Sequence, residues 1–214
     1  MAGYYLHSLD WIAVDQFFNS PTGDDISRFA SLLAPRLAEI QDGLEDGFVM
    51  FGWPTDANNL AAIVEAHFKL NNWYFDVSSD EGNAWESALT ELVENEKQFS
   101  SKFHGDDHIY WNAISEAIGH HKSNDSPAPE LNSFGRRPFH YSEPEEDEME
   151  WFWHPMHSMH TPDETSLIAK QLLAAEKTVM NSTEVNAPED FEVLRTVLNE
   201  IVPNNRVLYV TLDY

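Results

Sequence analysis

The 214-residue chain contains no cysteine, which excludes disulfide bonds, thiolate zinc sites, iron–sulfur clusters and a cysteine nucleophile. Any bound metal ion must therefore use histidine or carboxylate ligands. Long apolar runs are also missing, since no stretch reaches the roughly 18 apolar residues that a membrane helix needs. The first residues lack the basic and then apolar pattern of a secretory signal. We expect a cytoplasmic protein without a membrane partner.

Positive charge is scarce. The chain has 12 Lys and Arg residues against 37 Asp and Glu residues, which gives a formal net charge of −25. A field of this sign repels nucleic-acid phosphates and anionic membrane surfaces. The composition therefore excludes general nucleic-acid binding and favours a cationic partner.

Common catalytic motifs are absent from the sequence. It has no glycine-rich dinucleotide or phosphate loop, no His-Glu-x-x-His and no Gly-x-Ser-x-Gly. Carboxylate pairs that work as acid and base are defined by their separation in space, so the sequence does not select one. We expect a binding protein rather than an enzyme.

Hydrophobic periodicity predicts a mostly helical chain with strands at its two ends. Apolar residues recur at helical spacing after Asp10, after Asp24 or Asp25, from Thr55 to Leu70, and again in the C-terminal half. Tyr4–Leu9 and Arg206–Asp213 are short and rich in aromatic and β-branched residues, as strands are. The predicted fold is α+β, a mostly helical single domain over 1–214 with a small sheet that joins the N- and C-terminal strands.

Residues 104–108, His-Gly-Asp-Asp-His, combine histidine and carboxylates within five positions. We interpret them as a helix start in which Asp106 is the N-cap of a helix through Ile114 and Ile118. The alternative is a functional site formed by the same side chains.

Periodicity is lost between residues 122 and 161, where proline, serine, asparagine and acidic residues dominate. We predict one long connection there. It ends at Thr161-Pro162-Asp163-Glu164, which predicts a helix start with a capping box.

Three histidines lie at intervals of three near the end of this connection: His154, His157 and His160. Imidazole is a common ligand of divalent transition metals, so the three could form a metal site. Pro155 opposes a helix through the segment, and the spacing matches no known zinc motif. The alternative is an aromatic and methionine cluster with the histidines at its rim, and no cofactor.

An acidic run precedes the histidines. Six carboxylates lie between Glu143 and Glu150, without the residue order of a calcium-binding EF-hand loop. The run is interpreted either as a solvated segment or as a docking surface for a basic protein. In the second case, the candidate binding residues are Glu145, Glu146, Asp147, Glu148, Trp151 and Trp153.

Several features together resemble an uncharacterised bacterial family, the YfbM-like proteins of unknown function. They are the opening Gly3-Tyr4-Tyr5-Leu6, the helices after it, the proline-containing stretch before Thr161, and the closing Val207-Leu208-Tyr209-Val210. The resemblance implies an α+β fold and supplies no catalytic residue.

These observations favour an acidic cytoplasmic binding module for a basic protein, such as an inhibitor or immunity-type protein. The alternative function is a metal-dependent enzyme that uses the histidines at 154–160. A third interpretation is that the acidity serves only solubility. The sequence leaves the oligomeric state open.

Overall fold

A computed structural model describes residues 3–43, 54, 56–70, 80–95, 97–117, 128–132, 134 and 157–213. They fall into two compact units. The sheet unit contains the described residues of Met1–Trp11, Ser100–Arg137 and Trp153–Tyr214, and the helical unit contains those of Ile12–Phe99. The single domain predicted over 1–214 stays a prediction.

The sheet unit is built on four antiparallel strands: β1 (Gly3–Leu9), β2 (Lys102–Ile109), β3 (His157–His160) and β4 (Val207–Asp213). Their order in the sheet is β2-β1-β4-β3. The N- and C-terminal strands are neighbours along seven residue pairs, from Gly3↔Asp213 to Leu9↔Val207. The predicted α+β fold with a sheet joining the chain ends is confirmed.

Helices α5 (Trp111–Ala117), α6 (Pro129–Asn132), α7 (Pro162–Met180) and α8 (Ala187–Ile201) complete the sheet unit. Side chains alternate along a strand, so Tyr4 and Leu6 of β1 and Leu208 and Val210 of β4 share one face of the sheet. These four residues belong to a single core with apolar side chains of α5, α7 and α8. The helices therefore cover this face, which we call the helix-facing side.

The helical unit contains α1 (Trp11–Asn19), α2 (Gly23–Gly43), α3 (Ala57–Leu70) and α4 (Asp80–Asn95). Phe17 is central to its core, with ring centroids 5.0, 5.1 and 5.4 Å from those of Phe18, Phe68 and Phe99. The sequence predicts Asp24 or Asp25 as the N-cap of α2, and the structure differs. Thr22 Oγ1 accepts from the Asp25 backbone N–H, and the Asp25 carboxylate accepts from the Thr22 backbone N–H, so Thr22 is the cap.

The predicted helix start at Asp106 is wrong. Residues 102–109 form β2, and the helix begins only at Trp111. Pairing with β1 determines this conformation, since Phe103 lies opposite His7 and His104 lies opposite Leu6. The buried Asp190 carboxylate of α8 then accepts from the Tyr110 backbone N–H at 3.1 Å, just before α5. Tertiary contacts therefore override the local capping signal.

The capping box predicted at Thr161 is confirmed. Thr161 Oγ1 accepts from the Glu164 backbone N–H at 3.3 Å, and Glu164 Oε2 accepts from the Thr161 backbone N–H at 2.8 Å. Within the connection predicted at 122–161, the described residues include α6 and β3, which the sequence analysis missed.

Candidate functional site

A polar cluster at the β2 side of the sheet is the most chemically suggestive arrangement that the structure describes. We call Ser8, His104, Glu200 and Arg206 the His104 cluster. Strand register places Ser8 and His104 together, because Ser8 lies opposite Lys102 and Leu6 lies opposite His104. Glu200 comes from the last turn of α8, and Arg206 immediately precedes β4.

Short hydrogen bonds connect the members of the cluster. His104 Nε2 is 2.7 Å from Ser8 Oγ, and His104 Nδ1 is 3.5 Å from Glu200 Oε2. Arg206 Nε donates to Ser8 Oγ at 2.9 Å, and its Nη2 donates to the Ser8 carbonyl at 3.0 Å and to the Ser100 carbonyl at 2.5 Å. Lys102 pairs with the other side of the Glu200 carboxylate.

These contacts define where the protons lie. Arg206 is a donor only and uses one of the two acceptor sites of Ser8 Oγ. The hydrogen bond from Lys102 lowers the pKa of Glu200, so Glu200 is an ionised acceptor; it selects the His104 tautomer with the hydrogen on Nδ1 and leaves Nε2 to accept from the Ser8 hydroxyl. His104 is then neutral, with its own hydrogen on Nδ1 directed at Glu200. Burial lowers the pKa of His104, assisted by the nearby charges of Lys102 and Arg206 and opposed by Glu200. The pKa direction and the hydrogen-bond pattern therefore agree on a neutral imidazole.

The order serine, imidazole and carboxylate is that of a nucleophilic catalytic triad. A working nucleophile must be reached by its substrate, but Ser8 is 0% exposed and His104 only 6% exposed. Arg206 Nε moreover donates a hydrogen bond to the same Ser8 Oγ. In this conformation the cluster cross-links β1, β2, α8 and the start of β4, and it does not act as a hydrolase site.

A second histidine lies on the opposite face of the sheet. The His7 ring centroid is 5.2 Å from that of Phe103 and 5.6 Å from that of Tyr209, and its Nε2 is 3.5 Å from Thr211 Oγ1. Burial lowers the pKa of His7 to about 4, and His104 adds to this effect. His7 is therefore neutral at pH 7.

The predicted histidine triplet is described only in part. His154 lies outside the described residues, and only the backbone of His157 is described. His160 is fully buried, with Nε2 2.8 Å from Ser158 Oγ and its ring stacked on Phe134 at 6.3 Å.

Metal binding by the triplet stays a prediction. Among the residues that the structure describes, no group of three or more histidine or carboxylate side chains is arranged to hold a metal ion. The candidate docking residues, Glu145, Glu146, Asp147, Glu148, Trp151 and Trp153, all lie outside the described residues.

The His104 cluster was not predictable from the sequence, because its members come from three distant parts of the chain: Ser8, His104, and the Glu200–Arg206 segment. His104 attracted attention only through its neighbours at 105–108, which suggested a helix start. Ser8, Glu200 and Arg206 carry no local motif. Strand pairing and the packing of α8 bring them to His104. No signal in a single sequence points to such a set.

Comparisons with family models, curated proteins and solved structures find no match to this chain. The resemblance to the YfbM-like family therefore stays a prediction. In the described part of the chain, no helix has both the length and the apolar character required to cross a bilayer.

Proposed function

We propose that this protein is an acidic cytoplasmic binding module that recognises a basic protein, in the manner of an inhibitor or immunity protein. The observation that carries the proposal is the large excess of carboxylates. Even if each of the 12 basic residues neutralised one carboxylate, 37 − 12 = 25 would remain. Such a field accelerates encounter with a cationic partner.

At least four of the 12 basic residues already pair with carboxylates in the described part of the chain. Arg36 binds Glu91 at 2.5 Å, and Lys69 binds Glu65 at 2.8 Å. Arg195 contacts two carboxylates of its surroundings, Glu176 and Glu192, and Lys102 pairs with Glu200. These pairs lie at least partly on the surface and leave the net charge of −25 unchanged, so the other carboxylates of the protein are offset by few remaining cations.

The exposed apolar side chains do not favour recognition of a partner through a hydrophobic patch. In the described ranges the large ones are distributed over several elements: Ile12, Phe103, Leu167, Leu173, Met180 and Val185. On α7, Leu167 is separated from Leu173 and Met180 by about a third of a turn, since each helical residue advances by about 100°. Isolated apolar residues of this kind are normal on a protein surface.

The test begins with the purified, untagged chain coupled to a resin and exposed to a cytoplasmic extract at about 50 mM salt, well below physiological screening. The control resin carries an unrelated acidic protein of matched net charge. Each protein retained only by this chain is then purified. Calorimetric titration against the chain gives the stoichiometry, and stopped-flow mixing at low and high salt gives the association rate. We expect a basic protein that binds with 1:1 stoichiometry and associates more slowly as salt rises.

Charge variants sharpen this experiment. Glu189→Gln and Asp163→Asn each remove an exposed carboxylate from a helix start and are expected to slow association modestly, whereas Lys170→Gln on the exposed surface of α7 is expected to accelerate it. Retention by both resins, or a specific partner that is neutral or acidic, would contradict the proposal. Metal analysis of the untagged protein tests the alternative, a metal-dependent enzyme, because that function requires a bound ion.

A further inference from the structure

Strand β2 is attached to the rest of the sheet along one side only. In the sheet formed by the described residues it is an edge strand, paired with β1. The pairing is irregular, since the register shifts between Tyr4 and Leu6, and Tyr4 lies opposite Ile109 while Leu6 lies opposite His104. An edge strand with irregular pairing separates from its sheet more easily than a central strand does. Side-chain contacts that connect β2 to β1 and to α8 are therefore important for holding β2 in the sheet.

The His104 cluster supplies such cross-links. Ser8 Oγ and His104 Nε2 connect β1 to β2, and His104 Nδ1 and Lys102 connect β2 to Glu200 of α8. Arg206 Nη2 binds the Ser100 carbonyl just before β2. His104 makes two of these contacts, one to Ser8 and one to Glu200, and it is the one member of the cluster that titrates between pH 5 and 8 when unperturbed.

We propose that the His104 cluster is an acid-sensitive latch, in which protonation of His104 releases β2 from β1.

The hydrogen-bond pattern explains why protonation opens the latch. In the neutral state Ser8 Oγ accepts from Arg206 and donates to His104 Nε2. A proton on Nε2 turns this acceptor into a second donor directed at the same hydroxyl. The Ser8 hydrogen then loses this acceptor, and an unsatisfied buried donor destabilises the closed state.

The charges around His104 act in both directions. Glu200 favours the imidazolium, but its carboxylate already pairs with Lys102 and its side chain is 48% exposed, so solvent screens the attraction. The positive charges of Lys102 in β2 and Arg206 before β4 both oppose a positive charge on His104. His7 of β1 would add a further opposing charge if it too were protonated. Burial opposes the charged form as well. The open strand, in which His104 meets water, therefore binds the proton more tightly than the closed strand.

Hydrogen exchange of the full chain, followed by mass spectrometry at pH 7.4 and pH 5.5 and corrected for intrinsic exchange rates, tests the latch. We expect peptides covering 102–109 to exchange at least threefold faster at pH 5.5, while peptides of α2 in the helical unit stay unchanged. His104→Gln keeps a neutral polar side chain and should remove most of the difference between the two pH values. His7→Gln, on the opposite face, should remove only a smaller part of it, because His7 packs on Phe103 of β2 and also gains a proton more readily when the strand opens.

Three results would overturn the latch. They are equal exchange of 102–109 at both pH values in the unaltered protein, an acid response of the same size in His104→Gln, or loss of the response in His7→Gln alone. If His104→Gln does not fold, the His104 pKa is measured in the unaltered chain by NMR. A value at or above that of a free imidazole would equally exclude the mechanism, because protonation would then favour the closed strand.

Discussion

Removal of β4 is the most severe test of the proposed architecture. The perturbation is a stop after Arg206, which deletes residues 207–214. It removes a central strand that pairs with β1 along seven positions and with β3 along four. The remaining strands, β1 with β2 and the isolated β3, would lose the neighbour that joins them, and a two-stranded sheet is marginal in water.

The expected loss of stability follows from burial. Val207, Leu208, Tyr209 and Val210 are each at most 1% exposed. At about 1.5–3 kcal/mol for each fully buried apolar side chain, the four together contribute about 6–12 kcal/mol. The total stability of a typical domain is about 5–15 kcal/mol. The truncated sheet unit should therefore not fold cooperatively.

Thermal and urea unfolding, followed by circular dichroism, measures the loss, and hydrogen exchange assigns it to the sheet unit. Two matched Leu→Ala substitutions calibrate the effect. Leu208→Ala in the core should lower the free energy of unfolding by about 2–5 kcal/mol, whereas Leu173→Ala, at a residue 52% exposed, should lower it by about 0.5 kcal/mol or less. A truncated chain that unfolds cooperatively at an unchanged midpoint would refute the reasoning.

Three further predictions address a cap, a titration and a metal. Thr161→Ala removes the acceptor for the Glu164 backbone N–H and should lower the free energy of unfolding by about 1 kcal/mol, which corresponds to a fall in melting temperature of about 2–4 °C. Thr161→Ser keeps the acceptor and should be nearly neutral. Equal shifts in the two variants would contradict the capping role. The pKa of His7 in the folded protein, about 4, lies below its ordinary value of 6.5, so His7 contributes full stability above pH 6.5 and loses it as pH falls toward 4. After allowance for partial exposure, the stability contributed by neutral His7 amounts to about 2 kcal/mol. His7→Gln should remove this contribution from the pH dependence of urea unfolding. A variant with the pH profile of the unaltered protein would contradict the role of His7. Added zinc should leave the melting temperature unchanged, and stabilisation that disappears in His157→Ala would instead establish a metal site.

Local patterns predicted the features whose cause is also local. The capping box at Thr161 needs only four consecutive residues, and the structure contains both of its hydrogen bonds. The helix that contains Leu60 and Val64 follows from the spacing of its apolar residues, and these side chains are buried as predicted. The pairing of the two terminal strands was also predictable, because each is apolar, short and in need of a partner.

Local patterns failed where a distant partner decides the conformation. Asp106 has the chemistry of a helix cap, but β1 provides a strand partner for 102–109, and backbone pairing outweighs a cap of about 1 kcal/mol. Strand β3 lies in a segment without periodicity and is defined by its pairing with β4, from His157↔Thr211 to His160↔Leu208.

The sequence by itself determined the net charge, the absence of thiol chemistry, the positions of several helices and the need for the chain ends to pair. These properties depend on composition or on residues within a few positions of one another. The tertiary structure alone decided the His104 cluster, because Ser8, His104 and Glu200 are separated by 96 residues at each step and meet only through strand register and the packing of α8. It also decided their chemistry: full burial makes Ser8 a hydrogen-bonding cross-link instead of a nucleophile, since a hydroxyl that no substrate can reach cannot attack one.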